Sequence, residues 1–285
     1  MKLLRYGEKG QEKPGLLDVD GRVRDLSGVI GDLSGEALSP GSLRRLAALD
    51  PATLPLVEGM PQAGLRLGSC VARPPKFIAI GLNYADHAAE TGAPVPAEPI
   101  VFSKWTSCIA GPDDDVTLPR GSVKTDWEVE LGVVIGTGGS YIDEAAALDH
   151  VAGYCLVNDL SERAWQAERG GTWDKGKGFD GFGPAGPWLV TPDEVGDIDA
   201  LRLWCEVSGK MMQDGSTETM IFKVPHLIAY VSQFLTLEPG DIITTGTPPG
   251  VGLGMTPQRY LVAGDVVRLG GDRLGTQTQR ILAPA

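Results

Sequence analysis

The stretch Asp126-Trp127-Glu128-Val129-Glu130-Leu131-Gly132-Val133-Val134-Ile135 decides the fold. Successive side chains of a β-strand point to opposite faces, so Asp126, Glu128 and Glu130 share one face. The opposite face is apolar throughout, with Trp127, Val129, Leu131, Val133 and Ile135. An apolar face of this kind packs into a core while the acids project elsewhere. The pattern therefore predicts a core strand over residues 126–136.

Strand patterns outnumber helix patterns along the rest of the chain. Apolar runs typical of strands cover residues 99–104, 153–160, 201–208, 240–246 and 265–269. Helical spacing is confined to residues 84–91, 143–150, 161–169 and 224–235. The 39 glycines and 21 prolines favour turns and short strands. Because strand and helix do not alternate regularly after residue 170, we predict a β-rich α+β fold instead of a doubly wound sheet.

The first seventy residues read as a unit of their own. Residues 15–26 alternate apolar and polar around Asp20-Gly21, which predicts a hairpin, and residues 42–49 have helical spacing. The stiff Arg73-Pro74-Pro75 segment precedes the next strand. We therefore predict a small N-terminal α+β domain over residues 1–70 and a catalytic domain over residues 71–285.

Composition limits the classes of partner. The chain has 285 residues, 42% of them hydrophobic, and a formal net charge of −12, which repels phosphate backbones and anionic lipids. We expect no nucleic-acid or membrane partner. The four cysteines are widely spaced and are expected to be reduced thiols, and no apolar run has the length of a signal peptide or a membrane span. We therefore expect a cytoplasmic protein.

The acidic face of the core strand is a candidate metal site. Two acids spaced by one residue, Glu128 and Glu130, can converge on one ion, and Mg²⁺ or Mn²⁺ prefers oxygen ligands. Asp159 follows Asn158 at the end of another apolar strand and supplies a third carboxylate. The alternatives are a solvated acidic face and a helix N-cap at Asp159 or Ser161.

A histidine and a glutamate lie one helical turn apart in the segment 81–92. His87 and Glu90 are three residues apart, so they are neighbours on one helix face. A carboxylate beside an imidazole orients it and raises its basicity, as the activation of water requires. The alternative is an ordinary surface pair. Because the chain has only three histidines, a zinc site of several histidines is not expected.

Cations near the acids would be needed to bind an anionic substrate. Arg163 and Lys177 are the candidates, and a glycine-rich stretch over residues 173–184 can close over a ligand. The alternative for both is routine surface charge. Residues 246–254 are also rich in glycine but lack the Gly-Lys-Ser/Thr ending of a P-loop, so we reject nucleotide binding and expect a turn that presents backbone N–H groups to a carboxylate.

Together these motifs resemble the fumarylacetoacetate hydrolase superfamily over roughly residues 70–282. The resemblance is carried, in the order typical of that family, by Gly-Leu-Asn-Tyr-Ala-Asp-His at 81–87, Glu-Val-Glu-Leu-Gly at 128–132, Asn-Asp at 158–159, Lys-Gly-Phe-Asp at 177–180 and Thr-Gly-Thr-Pro-Pro-Gly-Val-Gly at 245–252. The segments 1–7 and 12–15 are similar to a subgroup of ureidoglycolate lyases and 2,4-diketo-3-deoxy-sugar-acid hydrolases.

The resemblance implies a fold and a set of roles. It implies a mixed β-roll catalytic domain, a homodimer, and Mg²⁺ or Mn²⁺ held by Glu128, Glu130 and Asp159. It makes His87, Glu90 and Lys177 the catalytic residues. It places the substrate against four further side chains, those of Tyr84, Arg163, Gln166 and Thr247.

The resemblance also implies a reaction. We expect a metal-dependent hydrolase that cleaves the C–C bond of a small anionic β-diketo acid of the acylpyruvate type. The expected substrate is 2,4-diketo-3-deoxy-L-fuconate or its L-rhamnonate counterpart, cleaved to pyruvate and L-lactate. The first alternative is a lyase, decarboxylase or isomerase on the same scaffold, acting on ureidoglycolate, oxaloacetate or hydroxyheptadienedioate. The second is a noncatalytic binding protein stabilised by the metal.

Overall fold

The structure is a computed structural model that describes residues 1–59 and 64–284. In chain order its strands are β1 (Lys2–Tyr6), β2 (Lys13–Leu17), β3 (Val23–Asp25), β4 (Phe77–Gly81), β5 (Ile100–Ser103), β6 (Ile109–Ala110), β7 (Val116–Thr117), β8 (Thr125–Asp126), β9 (Val129–Ile135), β10 (Val151–Asn158), β11 (Ser161–Glu162), β12 (Gly183–Val190), β13 (Arg202–Val207), β14 (Lys210–Ser216), β15 (Ile242–Thr244), β16 (Val266–Gly271) and β17 (Gly275–Leu282).

Helices are short by comparison. The α-helices are α1 (Pro40–Ala47), α2 (Ala85–Thr91), α3 (Arg163–Ala167), α4 (Asp174–Lys177), α5 (Pro192–Val195) and α6 (Val224–Val231). Single 3-10 segments cover Gly35–Leu38, Pro51–Thr53, Thr106–Cys108, Glu144–His150, Thr217–Thr219 and Gly252–Gly254. Within the described ranges, no helix has the length and apolar character needed to cross a bilayer.

A large mixed sheet forms the centre of the molecule. Its strand order is β3-β2-β1-β12-β10-β9-β15-β4-β5, and β6 pairs with β12. Strands β9 and β10 lie in the middle, antiparallel to each other, and every residue of both is buried. Near-continuous apolar runs fit such a position, because a central strand covered on both faces has no solvated side.

A second sheet covers the first, in the order β14-β13-β16-β17-β7, and the small β8–β11 pair lies apart from both. Buried amide side chains join the two sheets. Gln213 of β14 accepts a hydrogen bond from Val129 N at 3.0 Å. Asn158 Nδ2 donates to Gln279 Oε1 at 2.9 Å, and Gln277 Nε2 donates to Leu156 O at 3.0 Å. Strands β9 and β10 are therefore fixed from a second layer as well as by their ladder partners.

The predicted β-rich α+β fold is confirmed. The N-terminal hairpin forms as β2 and β3, and the predicted strands all appear with shifted ends. Seven strands of the described ranges were not predicted. Strand β1 lies at the charged N-terminus, and β6, β7 and β11 have two residues each. The other three were missed because Gly183–Val190 is rich in glycine and proline while Lys210–Ser216 and Gly275–Leu282 are largely polar.

Three of the predicted helices differ from expectation in type or length. Residues 143–150 form a 3-10 segment, because their hydrogen bonds close shorter turns than those of an α-helix. Residues 161–169 begin as strand β11, and only Arg163–Ala167 is helical. The helix predicted over 224–235 ends at Val231, where Ser232 N still caps onto Ile228 O.

The main sheet runs across the predicted domain boundary. Strand β1 pairs with β12, joining Leu3 to Leu189, so the N-terminal hairpin extends the central sheet. The division near residue 70 and the homodimer both stay predictions.

Candidate active site

Two central strands bring three acids together. In the β9–β10 ladder Glu130 lies opposite Val157, and Asp159 N donates to Glu128 O at 2.9 Å just beyond the end of β10. Carboxylate oxygens of Glu128, Glu130 and Asp159 all lie within 4.8 Å of one another. All three side chains are buried, so the solvated acidic face is excluded.

The fourth acid, Asp126, does not join this group of three. The predicted strand over 126–136 is interrupted, because β8 ends at Asp126 and β9 begins at Val129. Asp126 instead accepts hydrogen bonds from the backbone N–H groups of Gly252 at 2.7 Å and Leu253 at 3.0 Å. It also accepts one from Arg163 Nε at 2.9 Å, so this carboxylate holds the turn and the arginine in place.

Three buried cations lie among these acids. Lys177 Nζ contacts Glu128 Oε2 at 2.5 Å and Asp159 Oδ2 at 2.8 Å. Arg163 Nη2 lies 2.8 Å from Glu128 Oε1, so neither cation is routine surface charge. Lys104, which sequence reasoning missed, is fully buried and places Nζ 2.7 Å from Asp159 Oδ1.

We call these seven side chains the charged cluster: Asp126, Glu128, Glu130, Asp159, Lys104, Arg163 and Lys177. Four buried carboxylates and three buried cations leave it with one net negative formal charge. Such a group costs free energy to bury unless each charge has partners, because charges lose their hydration inside a protein. The pairing just described supplies partners for Asp126, Glu128 and Asp159 more completely than for Glu130.

The pKa values of the two glutamates diverge accordingly. Burial raises the pKa of Glu128, but Lys177 and Arg163 outweigh burial and hold it at about 2. Burial, together with the charges of Asp159 and Glu128, raises the pKa of Glu130 well above its ordinary value. Glu130 is therefore the acid whose negative charge is least compensated.

A tight turn reaches Glu130 from strand β15. The Thr244 hydroxyl and the backbone N–H of Gly246 both donate to Glu130 Oε2, the latter at 2.8 Å. Gly246 has a φ of +94°, and a Cβ there would lie 2.8 Å from Asn83 Cβ, so glycine is required. The segment predicted to present N–H groups to a carboxylate thus presents them to the protein's own acids: Gly246 N–H to Glu130, Gly250 N–H to Glu90, and the N–H groups of Gly252 and Leu253 to Asp126.

His87 and Glu90 lie as the helical spacing predicts. His87 Nδ1 is 3.2 Å from Glu90 Oε2. His87 is 6% exposed and Glu90 is partly buried, so this is not an ordinary surface pair. Glu90 also accepts the backbone N–H of Gly250, at 2.9 Å to Oε1. A carboxylate held by the chain beside an imidazole fixes the ring's orientation.

Of the other three residues predicted to bind substrate, Gln166 and Thr247 line the cavity described below and Tyr84 does not. Gln166 accepts from Arg163 Nη1 at 3.0 Å. The hydroxyl of Thr247 donates to Val129 O at 2.9 Å. Tyr84 is fully buried and does not line that cavity. Its hydroxyl has no hydrogen-bond partner among the described residues, and burial raises its pKa well above the ordinary value.

A cavity of about 190 Å³ opens beside the charged cluster. Four members of the charged cluster, Glu128, Glu130, Arg163 and Lys177, line it together with His87, and most of its other lining residues are apolar. The lining residues are Ile80, Gly81, Leu82, His87, Phe102, Glu128, Glu130, Arg163, Gln166, Ala167, Glu168, Trp173, Lys177, Gly246, Thr247 and Leu253. Residues far apart in sequence therefore combine carboxylates, an imidazole and a lysine around one small space.

The three-carboxylate group fits a divalent cation. Its donors are hard oxygens, which Mg²⁺ and Mn²⁺ prefer. Among the described residues no lysine or arginine forms an ion pair with Glu130, whereas Lys177 contacts both Glu128 and Asp159. A dication bound by these three carboxylates would change the net formal charge of the charged cluster from −1 to +1. Glu128, Glu130 and Asp159 are the residues that would hold it.

The comparison with known families decides the identity of the fold. Residues 76–282 match the family described as fumarylacetoacetate (FAA) hydrolase, C-terminal. The chain belongs to the fumarylacetoacetate hydrolase family. It is an enzyme of that family, and the resemblance seen in the sequence motifs is confirmed at that level.

Relatives agree with this assignment. A Burkholderia multivorans protein, 66% identical over 280 residues and 98% of each chain, carries a name that classes it among hydrolases without a substrate. Fumarylacetoacetate hydrolase from Exiguobacterium antarcticum is 33% identical over 99% of each chain, with a TM-score of 0.87.

Other fumarylacetoacetate hydrolase family structures differ in reaction. Maleylpyruvate hydrolase from Sphingobium sp. SYK-6, in complex with manganese(II) and pyruvate, is 27% identical over 100% of each chain, with a TM-score of 0.82. A 2-hydroxyhepta-2,4-diene-1,7-dioate isomerase from Mycobacterium marinum is 30% identical over 99% of this chain and 98% of its own, with a TM-score of 0.74. The shared fold therefore carries both hydrolases and isomerases.

Proposed function

We propose that this enzyme is a divalent-metal-dependent hydrolase that cleaves the C–C bond of an acylpyruvate. The observation that carries the proposal is one cavity lined by Glu128, Glu130, Lys177 and His87 together. The carboxylates suit a metal, the imidazole suits a general base, and the lysine suits an oxyanion. A noncatalytic binding protein would need the acids but would have no use for a buried, oriented imidazole.

The reaction consumes one water. An acylpyruvate, R–CO–CH₂–CO–COO⁻, and water give R–COO⁻, a proton and pyruvate, CH₃–CO–COO⁻. Water adds to the carbonyl beside R, and the bond between that carbonyl carbon and the CH₂ breaks. The electrons of that bond leave with the pyruvyl fragment as an enolate, which is then protonated on carbon.

Four side chains of this chain have separate roles in the proposed reaction. His87 takes the proton of the attacking water, and Glu90, held by Gly250 N–H, keeps the imidazole oriented and stabilises its charged form. The ammonium of Lys177 lies where it can stabilise negative charge that grows on the pyruvyl oxygen. Arg163, fixed by Asp126 at 2.8 Å from Nη2, binds the anionic end of the substrate.

The metal would be held by Glu128, Glu130 and Asp159. When bound, Mg²⁺ or Mn²⁺ supplies a Lewis acid for the carboxylate and the neighbouring keto oxygen of the substrate. Support comes from the buried oxygen donors and from the manganese(II) and pyruvate named for the Sphingobium maleylpyruvate hydrolase. General-base catalysis alone gives only about 10²–10⁴-fold acceleration, so the imidazole needs such help.

The identity of the acyl group R is the finer part of the proposal. The sequence resemblance favours the lactoyl group of 2,4-diketo-3-deoxy-L-fuconate, and that compound belongs in any substrate panel. An isomerase that acts on 2-hydroxyhepta-2,4-diene-1,7-dioate is the alternative that the Mycobacterium marinum structure brings forward. An isomerase releases no pyruvate and incorporates no water into a carboxylate, so the two reactions give different products.

The decisive experiment measures pyruvate release from acylpyruvates with Mg²⁺ or Mn²⁺ present, in water enriched in ¹⁸O. Hydrolysis places one ¹⁸O in the released carboxylate R–COO⁻. Release of pyruvate without that label, or isomerisation without release, contradicts the proposal.

Two variants separate the metal from the base. Glu128→Ala is expected to weaken Mn²⁺ binding in a calorimetric titration, whereas His87→Ala is expected to leave binding intact and lower turnover by about 10²–10⁴-fold. Wild-type metal affinity in Glu128→Ala, or wild-type hydrolysis in His87→Ala, would show that the role assigned to that residue is wrong.

A further inference from the structure

One part of the cavity wall, which we call the outer wall, is aromatic and contains Phe102 and Trp173. Lys177 Nζ lies 5.3 Å from the centroid of the Phe102 ring. The Phe102 and Trp173 rings meet edge to face, with centroids 5.3 Å apart. From the charged cluster outward, the surface therefore changes from ammonium to phenyl to indole.

The position of Trp173 depends on Gly81 at the end of β4. A Cβ on residue 81 would lie 2.2 Å from Trp173 Cζ3 and 2.9 Å from its Cη2. The indole therefore lies flat against bare backbone, in contact with β4 on one side and with Phe102 on another. Ile80, Leu82 and Leu253 complete an apolar surface around the same space.

This outer wall offers nothing to a second negative charge. The cations among the cavity-lining residues are Arg163 and Lys177, and both already contact Glu128. The other charged lining residue outside the cluster is Glu168, an acid, which pairs with Lys124 at the surface. Phe102 and Trp173 are half-buried, so a carboxylate placed beside them would give up part of its hydration without contacting a cation of the lining residues, which is unfavourable.

The charge of the cluster leads to the same conclusion. The cluster carries one net negative formal charge, and a dication on its three acids would make that charge +1. A substrate with a single carboxylate neutralises it, whereas a dicarboxylate leaves an excess negative charge in a buried space.

We propose that the substrate is a monoanionic acylpyruvate whose acyl group is apolar, and that Phe102 and Trp173 receive that group. The inference rests on the proposed hydrolysis of acylpyruvates and specifies R. An uncharged alkyl or aryl group fits the wall. A second carboxylate, as in a dioate, does not fit, and a hydroxyl would find no polar partner on Phe102 or Trp173. The inference therefore departs from the lactoyl group that the sequence resemblance favours.

The test uses pairs of substrates that match in shape and differ in polarity, with the holoenzyme in excess Mg²⁺ or Mn²⁺. One pair is 4-methylpentanoylpyruvate and succinylpyruvate, which differ by an isopropyl group against a carboxylate. The other is isobutanoylpyruvate and lactoylpyruvate, which differ by a methyl against a hydroxyl. The apolar member of each pair is expected to have a kcat/KM higher by about 10-fold or more.

A binding measurement separates this inference from the proposed reaction. Simple 2-oxo acids without the second carbonyl cannot be cleaved in this way, so their affinity can be measured by calorimetry. We expect 7-methyl-2-oxooctanoate to bind more tightly than 2-oxoheptanedioate. If no acylpyruvate releases pyruvate but this order holds, the reaction is wrong and the apolar wall stands.

Variants of Trp173 test whether this residue is responsible for the preference for apolar acyl groups. Trp173→Ala is expected to raise KM for 4-methylpentanoylpyruvate by about 10-fold and that for acetylpyruvate by less than about 3-fold, because acetylpyruvate does not reach the indole. Trp173→Phe should restore most of the difference. Thr172→Ala, an exposed neighbour outside the cavity lining, is the matched control and should behave as wild type.

A gain-of-function variant tests the charge argument. Ala167 is exposed at the cavity rim, so Ala167→Lys can place a cation there without burying it. The variant should raise kcat/KM for succinylpyruvate relative to its apolar match. Equal or better use of succinylpyruvate or lactoylpyruvate by the wild-type enzyme, with pyruvate still released, would overturn the inference while leaving the hydrolase proposal intact.

Discussion

The buried lysine at position 104 gives the sharpest prediction on stability. Its side chain is 0% exposed, its Nζ lies 2.7 Å from Asp159 Oδ1, and it also donates to the carbonyl of Lys177. Lys104→Met keeps most of the volume and removes the charge. Asp159 then stays buried next to Glu128 and Glu130, with Lys177 as its remaining cationic contact.

The expected loss follows from the burial of both partners. Removing one member of a buried ion pair typically costs about 3–5 kcal/mol, because the other charge stays desolvated. At about 2–4 °C per kcal/mol for a chain of this size, the melting temperature should fall by roughly 6–20 °C. The assay is thermal unfolding followed by circular dichroism, with a chelator present so that bound metal does not mask the change.

A control and a double variant make this prediction refutable. Lys124→Met removes a lysine–carboxylate contact at an exposed site and should leave the melting temperature nearly unchanged. Combining Lys104→Met with Asp159→Asn removes both charges, so the double variant should lose less stability than the two single losses added together. Strictly additive losses, or equal effects of Lys104→Met and Lys124→Met, would refute the reasoning.

Three further outcomes are expected. Glu130→Gln removes the least compensated charge of the cluster, so the metal-free protein should melt at a higher temperature while Mn²⁺ affinity measured by calorimetry falls; a lower melting temperature would contradict this. Lys177→Met should lower kcat more than it raises KM, whereas Arg163→Ala should act mainly on KM, and steady-state kinetics that reverse this order would exchange the two roles. Burial raises the pKa of Asp18, but hydrogen bonds, including one from Arg24, lower it from 3.8 to about 2, so its contribution to stability is present above pH 3.8 and lost as pH falls to about 2. In Asp18→Asn the melting temperature should therefore fall less steeply than in the wild type as the pH is lowered from 3.8 to about 2. A pH profile identical to that of the wild type would contradict this assignment.

The alternation rule predicted that Glu128 and Glu130 lie together, and they do, although Glu128 directly precedes β9 and lies outside it. The neighbouring strand end brings in Asp159. The same rule failed for Asp126, because the strand is interrupted before Val129 and alternation does not continue across the break. Sequence spacing could not reveal that interruption, because Trp127 and Glu128 keep the apolar and polar alternation that a strand would have.

Other contributors to the site carried no local signal. Lys104 follows a short apolar strand, where a lone lysine is usually exposed, and only its long-range contact with Asp159 explains its burial. Thr244 and Gln213 form hydrogen bonds with Glu130 and Val129 of strand β9, although each lies more than eighty positions away in the sequence. His87 and Glu90 could be paired from sequence because both lie within one turn of one helix.

The amide bridges between the two sheets bear on how readily this scaffold can be redesigned. Gln213, Gln277 and Gln279 hold β9, β10 and β12 through groups that carry no charge and do not titrate near neutral pH. Exchanging an acid or a cation in the cavity therefore breaks ion pairs but leaves these amide bridges in place. A redesign for a new reaction has to replace the charge partners inside the cluster, while the bridges between the sheets can be kept unchanged.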